Sequence, residues 1–298
     1  MQAIVGFIIV LGCVFGGYAI AGGHFAAILK AMPLEFLIIG GSALGAFVVA
    51  NTGHGLKISV QKLKRAFGKP RHGKEDYVEL LSMLYVIFTR APRANVAPIE
   101  RDIEDSENSP LFKQFPRFHA NSHAREFVCD YLRLFAMRMR NPHELDALME
   151  QEIDGMAYEA AHSSHALQKV ADGLPALGIV AAVLGVIKTM ASIDQPPPVL
   201  GKMIGSALVG TFLGVLLAYG IVGPLADKIK TLDEADTVFY MVIRAAMVAF
   251  LGGSDPAVCV EFGRKLIPQD VRPTFLEVEQ ACEQVGAMIR GAAAPAAA

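Results

Sequence analysis

Few residues in this sequence are spaced as the members of a reactive site usually are. His162 and His165 lie three residues apart, and on a helix both imidazoles could reach one metal ion, but no further ligand follows nearby. The four cysteines are spread along the chain, at Cys13, Cys129, Cys259 and Cys282. This spacing favours unrelated buried thiols over a CxxC metal motif or a disulfide framework. Without a nucleophile–base pair or a Gly-rich phosphate loop, we expect no enzyme, metal or cofactor.

The most charged short segment is 100–107 (ERDIEDSE), which follows Arg90 and Arg93. A run of this kind is most often a solvated helix face. Exposed complementary charges give steering and register more than affinity, so they suit a contact that forms and breaks repeatedly. The segment is therefore a candidate contact surface, and Glu100 stands at its start.

Composition places these residues in a membrane protein. Of 298 residues, 53% are hydrophobic and 19% are charged, whereas roughly 25% are charged in soluble domains. Mean hydropathy is +0.40 and the formal net charge is −2. The apolar content excludes global disorder. The absence of excess positive charge argues against nucleic-acid binding.

Four nearly uncharged runs are long enough to cross a bilayer, because about 20 helical residues span its hydrocarbon core. The runs predict an all-α integral membrane protein with transmembrane helices at 1–23, 34–53, 173–193 and 203–226, joined outside by loops 24–33 and 194–202. A cleaved signal peptide is the alternative for the first run. No Lys or Arg precedes it, which favours a retained helix.

Lys and Arg near the helix ends predict the orientation. Seven basic residues follow the second run before the first acid, at Lys57, Lys62, Lys64, Arg65, Lys69, Arg71 and Lys74. The first loop offers only Lys30. The second run should therefore end in the cytoplasm, and both termini should be cytoplasmic in a multi-pass inner-membrane protein.

The segments 54–172 and 227–298 should form a large helical cytoplasmic domain. Apolar residues recur at helical spacing in 77–90 and 122–139, and 144–172 runs into the third span as one long helix. Segment 108–118 contains two prolines and is predicted as loop, 227–251 as helix, and 292–298 as a disordered tail.

Ionisable residues are scarce inside the predicted spans. The first, third and fourth contain no Asp, Glu, His or Arg in their apolar core, and Lys188 can extend toward the surface. Glu35 stands beside Pro33 at the entrance of the second span, where we expect a hydrated carboxylate. Intramembrane ionisable residues usually carry protons. If this chain conducts ions, a partner must supply the titrating group.

Two further patterns leave alternatives open. Pro175 opens the third span and Pro224 nearly closes the fourth, so both lie at similar depth and are either hinges or ordinary helix-end prolines. Small residues line two spans, at Gly40, Gly41, Ala43, Gly45 and Ala46 and at Gly205, Ala207, Gly210 and Gly214. Such faces favour close helix packing, either within the chain or with a partner.

Several segments together resemble the MotA family of bacterial flagellar stator subunits, part of the MotA/TolQ/ExbB proton channel group. They are 12–18 (GCVFGGY), 100–104 (ERDIE), 130–134 (DYLRL), 174–183 (LPALGIVAAV), 209–214 (VGTFLG), 260–265 (VEFGRK) and Arg272-Pro273. They occur in the family's order over nearly the whole chain.

The resemblance implies a homo-oligomeric ring of five subunits in membrane lipid around two copies of MotB, which supplies a protonatable aspartate and a peptidoglycan anchor. It implies a coupling hinge at Pro175 and Pro224. It places Glu100 at the contact with the rotor protein FliG, with Arg90 and Arg93 bracketing the position of the partner arginine. The expected channel lining is Ala182, Thr211 and Tyr219.

Two alternatives compete with the stator interpretation. An ExbB/TolQ-type subunit, which energises an outer-membrane process, has a similar design, but those relatives have three spans and this chain has four predicted spans. A solute transporter should show a polar binding site at mid-membrane, and the sequence shows none.

Overall fold

A computed structural model describes residues 2–68 and 70–292, and within them the chain is helical without a strand. The α-helices are α1 (Gln2–Ile20), α2 (Phe25–Ala50), α3 (Gly53–Arg65), α4 (Lys74–Arg90), α5 (Glu100–Glu104), α6 (Pro116–His119), α7 (Ser122–Ala136), α8 (Pro142–Met190), α9 (Pro197–Leu217), α10 (Gly223–Leu251), α11 (Pro256–Leu266) and α12 (Phe275–Ala292). A π-helical segment, Ala218–Val222, joins α9 to α10. The all-α prediction is confirmed.

The chain divides into two compact units. The first contains Met1–Lys69 and Tyr158–Asp233, and the second contains Pro70–Ala157 and Glu234–Ala298. The long helices α8 and α10 each contribute residues to both units.

In the described residues, four helices are long and apolar enough to cross a membrane, two of them wholly and two partly within the first unit. Large apolar side chains cover its outer surface: Ile20 is 91% exposed, Val49 89% and Leu37 70%. A water-soluble protein rarely exposes so much apolar surface, whereas a bilayer solvates it. A small interior of Ile39, Leu174, Leu213 and neighbours lies between α2, α8 and α9.

Several predicted boundaries differ from the structure. Segment 24–33 is helical from Phe25, so Pro33 lies inside α2 rather than in a loop. In segment 194–202, the helix α9 already begins at Pro197. The third span is the C-terminal part of α8, which ends at Met190, and the fourth continues through the π-helical segment into α10. A proline within a helix looks like a boundary in sequence, but packing overrides that preference here.

The second unit has a continuous apolar core. Helix α4 lies at its centre and buries nine of its residues, because its apolar residues occupy most of the helix circumference. Phe88 stacks on Phe250 with ring centroids 4.4 Å apart. A side chain at Gly263 would lie 3.0 Å from the carbonyl oxygen of Val242, so α11 packs closely on α10.

Segment 108–118, predicted as loop, contains a 3-10 turn at Phe112–Gln114 and the beginning of α6. Phe112, Phe115 and Phe118 anchor it in the core. The predicted tail begins at Ala292, the last residue of α12, and 293–298 lie outside the described residues.

Candidate functional site at the glycine crossing and the α5 surface

Helices α8 and α9 approach until their backbones nearly touch. A Cβ atom at Gly178 would lie 2.8 Å from the carbonyl oxygen of Gly210 and 3.1 Å from the Cα atom of Gly214. A Cβ atom at Gly214 would lie 2.9 Å from the Cα of Gly178. Farther along, one at Gly185 would lie 2.6 Å from the Cβ of Ala207. We call this region the glycine crossing; only glycine fits at its closest points.

The small residues of α9 and α2 can now be assigned to packing within the chain or to a face that is open to a partner. On α9, Ala207, Gly210 and Gly214 pack within the chain. On α2, an added Cβ at Gly41 or Gly45 meets nothing within 4 Å. Ala207, Gly210 and Gly214 thus serve intramolecular packing, whereas Gly205 on α9 and part of the α2 face remain open.

Two of the three predicted channel-lining residues meet at the glycine crossing. The backbone nitrogen of Ala182 lies 3.2 Å from the position a Cβ at Gly210 would take, and the Cα of Thr211 lies 3.3 Å from the equivalent position at Gly178. Both side chains are half-buried. Tyr219 lies elsewhere, in the π-helical segment, and is 71% exposed. The crossing brings together Ala182 and Thr211 but not Tyr219.

Glu35 corrects the sequence analysis, which expected a hydrated carboxylate at the entrance of a span. It lies inside α2, is 8% exposed, and its Oε2 atom has no hydrogen-bond partner among the residues that the structure describes. That oxygen is 2.6 Å from the position a Cβ at Gly210 would take. A buried polar atom without a partner is costly and rare. Glu35 therefore places a carboxyl group against the crossing, within the candidate span Ile28–Ala50.

Both predicted hinge prolines lie within continuous helical structure. Pro175 is inside α8, which extends many residues to either side. Pro224 is the second residue of α10 and follows the π-helical segment directly. A mid-helix proline removes one backbone hydrogen bond, and π-helical turns are a recognised cause of bends. Pro175 is therefore not a helix-end proline, whereas Pro224 lies at the junction of the π-helical segment and α10, and the hinge stays a prediction.

In the second unit, the ERDIE segment forms the short helix α5. Glu100 is its first residue and is exposed, while Ile103 is buried and fixes the helix to the core. Arg133 of α7 holds the other end: its guanidinium donates to the carbonyl oxygen of Ile103 at 3.0 Å and lies 3.4 Å from Glu104 Oε1. Sequence reasoning assigned no role to Arg133, although the segment DYLRL was noted.

Arg90, the other rotor-contact candidate, is the last residue of α4 and is half-buried. Neither Arg90 nor Glu100 takes part in an ion pair in 2–68 or 70–292. Arg93 lies in a 3-10 turn at Pro92–Ala94, but its side chain falls outside what the structure describes. Among the described side chains, Arg90 and Glu100 form no ion pair with each other.

A buried ion pair fastens the first unit at the far end of α3. Lys62 Nζ lies 2.8 Å from Asp233 Oδ2 and donates to the carbonyl oxygen of Ala160 at 2.7 Å. The two side chains are 16% and 9% exposed. In the sequence, Lys62 served only to predict the orientation in the membrane. The structure shows that it also pairs with Asp233.

We expect Lys62→Met to destabilise the first unit, because it removes the ammonium that lies 2.8 Å from the buried Asp233 carboxylate, at a cost of roughly 1–3 kcal/mol. The purified protein should lose several degrees in thermal unfolding. Lys64→Met on the exposed side of the same helix is the control and should change little. Lys62→Met combined with Asp233→Asn should recover part of the loss. Equal melting temperatures for Lys62→Met and Lys64→Met would contradict the role of the pair.

The remaining reactive side chains are structural. Burial raises the pKa of the Cys129 and Cys259 thiols to about 11 and that of Cys282 to about 12, so all three stay protonated at neutral pH. Cys13 is exposed on α1, which corrects the expectation that all four cysteines are buried. No group of three potential metal ligands occurs in the residues that the structure describes.

Family models match most of the chain. Residues 4–95 match the model of the motility protein A N-terminal region, and residues 119–238 match that of the MotA/TolQ/ExbB proton channel family. The chain is 39% identical to motility protein A of Salmonella typhimurium over 280 residues, covering 94% of each protein. It is 36% identical to the chemotaxis protein LafT of Vibrio parahaemolyticus, covering 94% of this chain and 98% of LafT.

Solved structures show the same fold. A chain of the C. jejuni MotAB structure superposes with a TM-score of 0.72 at 18% identity, covering 92% of this chain and 98% of that one. A chain of the flagellar MotAB stator complex from Bacillus subtilis gives 0.65 at 22% identity, covering 87% and 92%. The full-length similarity to motility proteins does not favour the ExbB/TolQ alternative. The chain belongs to the motility protein A family of the MotA/TolQ/ExbB proton channel group: it is a multi-pass inner-membrane subunit of a flagellar stator and not an enzyme.

Proposed function

We propose that this chain surrounds MotB and converts the passage of protons into torque on the rotor protein FliG. The observation that carries the proposal is the composition of the glycine crossing, where α8 and α9 offer small side chains, Ala182 and the hydroxyl of Thr211, and no acid of their own. From α2 this chain brings the buried carboxyl of Glu35 to the crossing. A proton path along the acid-free faces of α8 and α9 needs a further titratable group from a partner. An aspartate of MotB would supply it.

The proposed assembly is a ring of five subunits around two MotB chains, with both termini and the second unit in the cytoplasm. The charge distribution supports this orientation, because Lys57, Lys62 and Lys64 lie on α3 directly after a candidate span. The second unit is then a cytoplasmic domain that presents α5 to the rotor. Movement at Pro175 and Pro224 would transmit the change at the crossing to that domain.

The coupling ion should be H⁺ rather than Na⁺. Sodium must exchange its water shell for several oxygen ligands, whereas a proton needs one carboxylate and a water path. At Ala182, where the family resemblance implies a threonine hydroxyl in sodium-driven relatives, this chain has a methyl group, and Ala181 beside it is buried. We expect normal swimming in sodium-free medium and arrest by a protonophore. Swimming that needs sodium and survives loss of the proton gradient would overturn the assignment.

The rotor contact gives a second expected result. Glu100→Lys should reduce torque and leave the amount of membrane-inserted protein unchanged, since Glu100 is exposed and has no ion pair in the described part of the chain. Electrostatic contacts of this kind set register and on-rate, so the loss should be greatest at low ionic strength and should be partly reversed by a complementary charge reversal on FliG.

The matched control is Glu126→Lys, which makes the same charge change on the exposed side of α7. Torque is read from the rotation speed of tethered cells at high load and of small beads at low load. Normal rotation of Glu100→Lys at both loads, also when combined with reversal of Arg90, would remove Glu100 from the contact.

A further inference from the structure

A cavity of about 510 Å³ lies between α2 and α8 in the first unit. One wall comes from α2 and contains Ala43, Ala46, Phe47 and Ala50. The other wall is one face of α8, with Tyr158, His162, His165, Lys169, Gly173 and Leu177 at spacings of three or four residues. The volume falls within the usual range of small-molecule sites.

The two ends of this cavity differ in chemistry. Near Asn51, the α8 wall carries the imidazoles of His162 and His165, and Lys169 follows one to two turns further along the helix. Toward Leu177 and Ala43, the lining is apolar. From position 162 to 177, a helix rises roughly 22 Å. This length equals about half of a bilayer including its headgroups.

The end of the cavity that contains His162 lies beside the C-terminus of α2. Helix α2 ends at Ala50 and α3 begins at Gly53, and a Cβ atom at Gly55 would lie 3.7 Å from His162 Cε1. Helix α3 is amphipathic and exposes Lys57 and Lys64. A basic amphipathic helix directly after a span lies at the membrane interface, close to anionic headgroups.

The charge of Lys169 is not compensated within the described residues, where its ammonium makes no ion pair. The nearby acid, Asp172, instead accepts a hydrogen bond from Gln168 at 2.8 Å. An ammonium and two imidazoles on one face of α8, spread over about two turns, match a phosphate group. An apolar slot continuing from these groups matches an acyl chain.

From this juxtaposition we propose that the cavity binds one anionic phospholipid. Its phosphate contacts Lys169, His165 and His162, and one acyl chain lies along α2 past Ala46 toward Leu177. Charge complementarity and apolar walls over the length of a single leaflet favour this amphiphile. A second copy of the chain could place a carboxylate beside Lys169, but it has no long hydrocarbon chain to fill the apolar slot.

The proposal is tested by native mass spectrometry of the full-length stator complex purified in an equal mixture of phosphatidylglycerol and phosphatidylcholine. We expect phosphatidylglycerol to be retained at least three-fold above phosphatidylcholine. Lys169→Gln should reduce that enrichment at least three-fold, and Ala46→Trp, which fills the apolar slot without changing charge, should lower retention of both lipids. Lys57→Gln, an exposed lysine outside the cavity, is the control and should retain the parent's enrichment.

Equal retention of the two lipids, or an equal loss in Lys57→Gln and Lys169→Gln, would overturn the proposal. So would a photoreactive benzoylphenylalanine at position 46 that crosslinks to another copy of the chain instead of to lipid. The measured quantity is bound lipid rather than swimming, so failure here leaves the stator function untouched.

Discussion

Gly178→Val should abolish motility by preventing assembly of the stator. Even the first carbon of a side chain at this position would lie 2.8 Å from the carbonyl oxygen of Gly210, and the other nearest atoms also belong to the α9 backbone. Backbone cannot move aside as a flexible side chain can, so α8 and α9 must separate. Overpacking of this kind costs about 1–3 kcal/mol in soluble cores, and in lipid close packing is the main force that joins helices.

The expected result is at least a ten-fold loss of swimming with less chain recovered in the complex with MotB. Gly178→Ala should give an intermediate loss. Gly205→Ala on α9, where an added methyl group meets nothing within 4 Å, is the control and should swim normally. Swarm diameter and immunoblots of purified complexes provide the measurement. Wild-type swimming of Gly178→Val would show that the helices do not pack as described.

Pro175→Ala should leave assembly of the stator intact and reduce the torque that it generates. Alanine restores a backbone donor in the middle of α8 and removes the steric cause of a bend, so the helix becomes straighter and more rigid. We expect normal membrane insertion and MotB association with at least a ten-fold loss of torque. Pro224→Ala, which follows the π-helical segment of the neighbouring span, should behave in the same way.

Pro197→Ala is the matched control for these substitutions. Pro197 is the first residue of α9, where proline removes no intrahelical hydrogen bond. Its replacement should leave torque unchanged. If Pro175→Ala and Pro224→Ala both drive rotation at the parent speed, the hinge proposal fails while the fold remains as described.

The helical periodicity of apolar residues and the length of the uncharged runs were sufficient to predict the main helices and the candidate spans. The amphipathic segments 77–90 and 122–139 are α4 and α7, and the long helix running into the third span is α8. These features depend on local spacing. Boundaries near proline were wrong because tertiary packing carried α2 through Pro33 and extended the fourth span into α10.

The sequence predicted the candidate site only where the type of a residue is enough to indicate its role, as glycine indicates close helix packing. Glycines on α9 indicated close packing, but not that Gly210 faces Glu35 or that Gly178 is the partner on α8. Glu35 was missed because a carboxyl beside a proline resembles a helix entrance. The role of Arg133 depends on a bond to Ile103, thirty residues away in sequence, and such pairings leave no local pattern.

Rotation of flagella in cells that lack this chain tests the central claim most directly. If the chain is a stator subunit, deletion should leave filaments of normal number and length that do not rotate, and expression of the intact chain together with MotB should restore rotation in discrete speed steps as units engage. Cells that lack filaments would assign the chain to flagellar assembly instead, and cells that rotate at the parent speed would contradict the account.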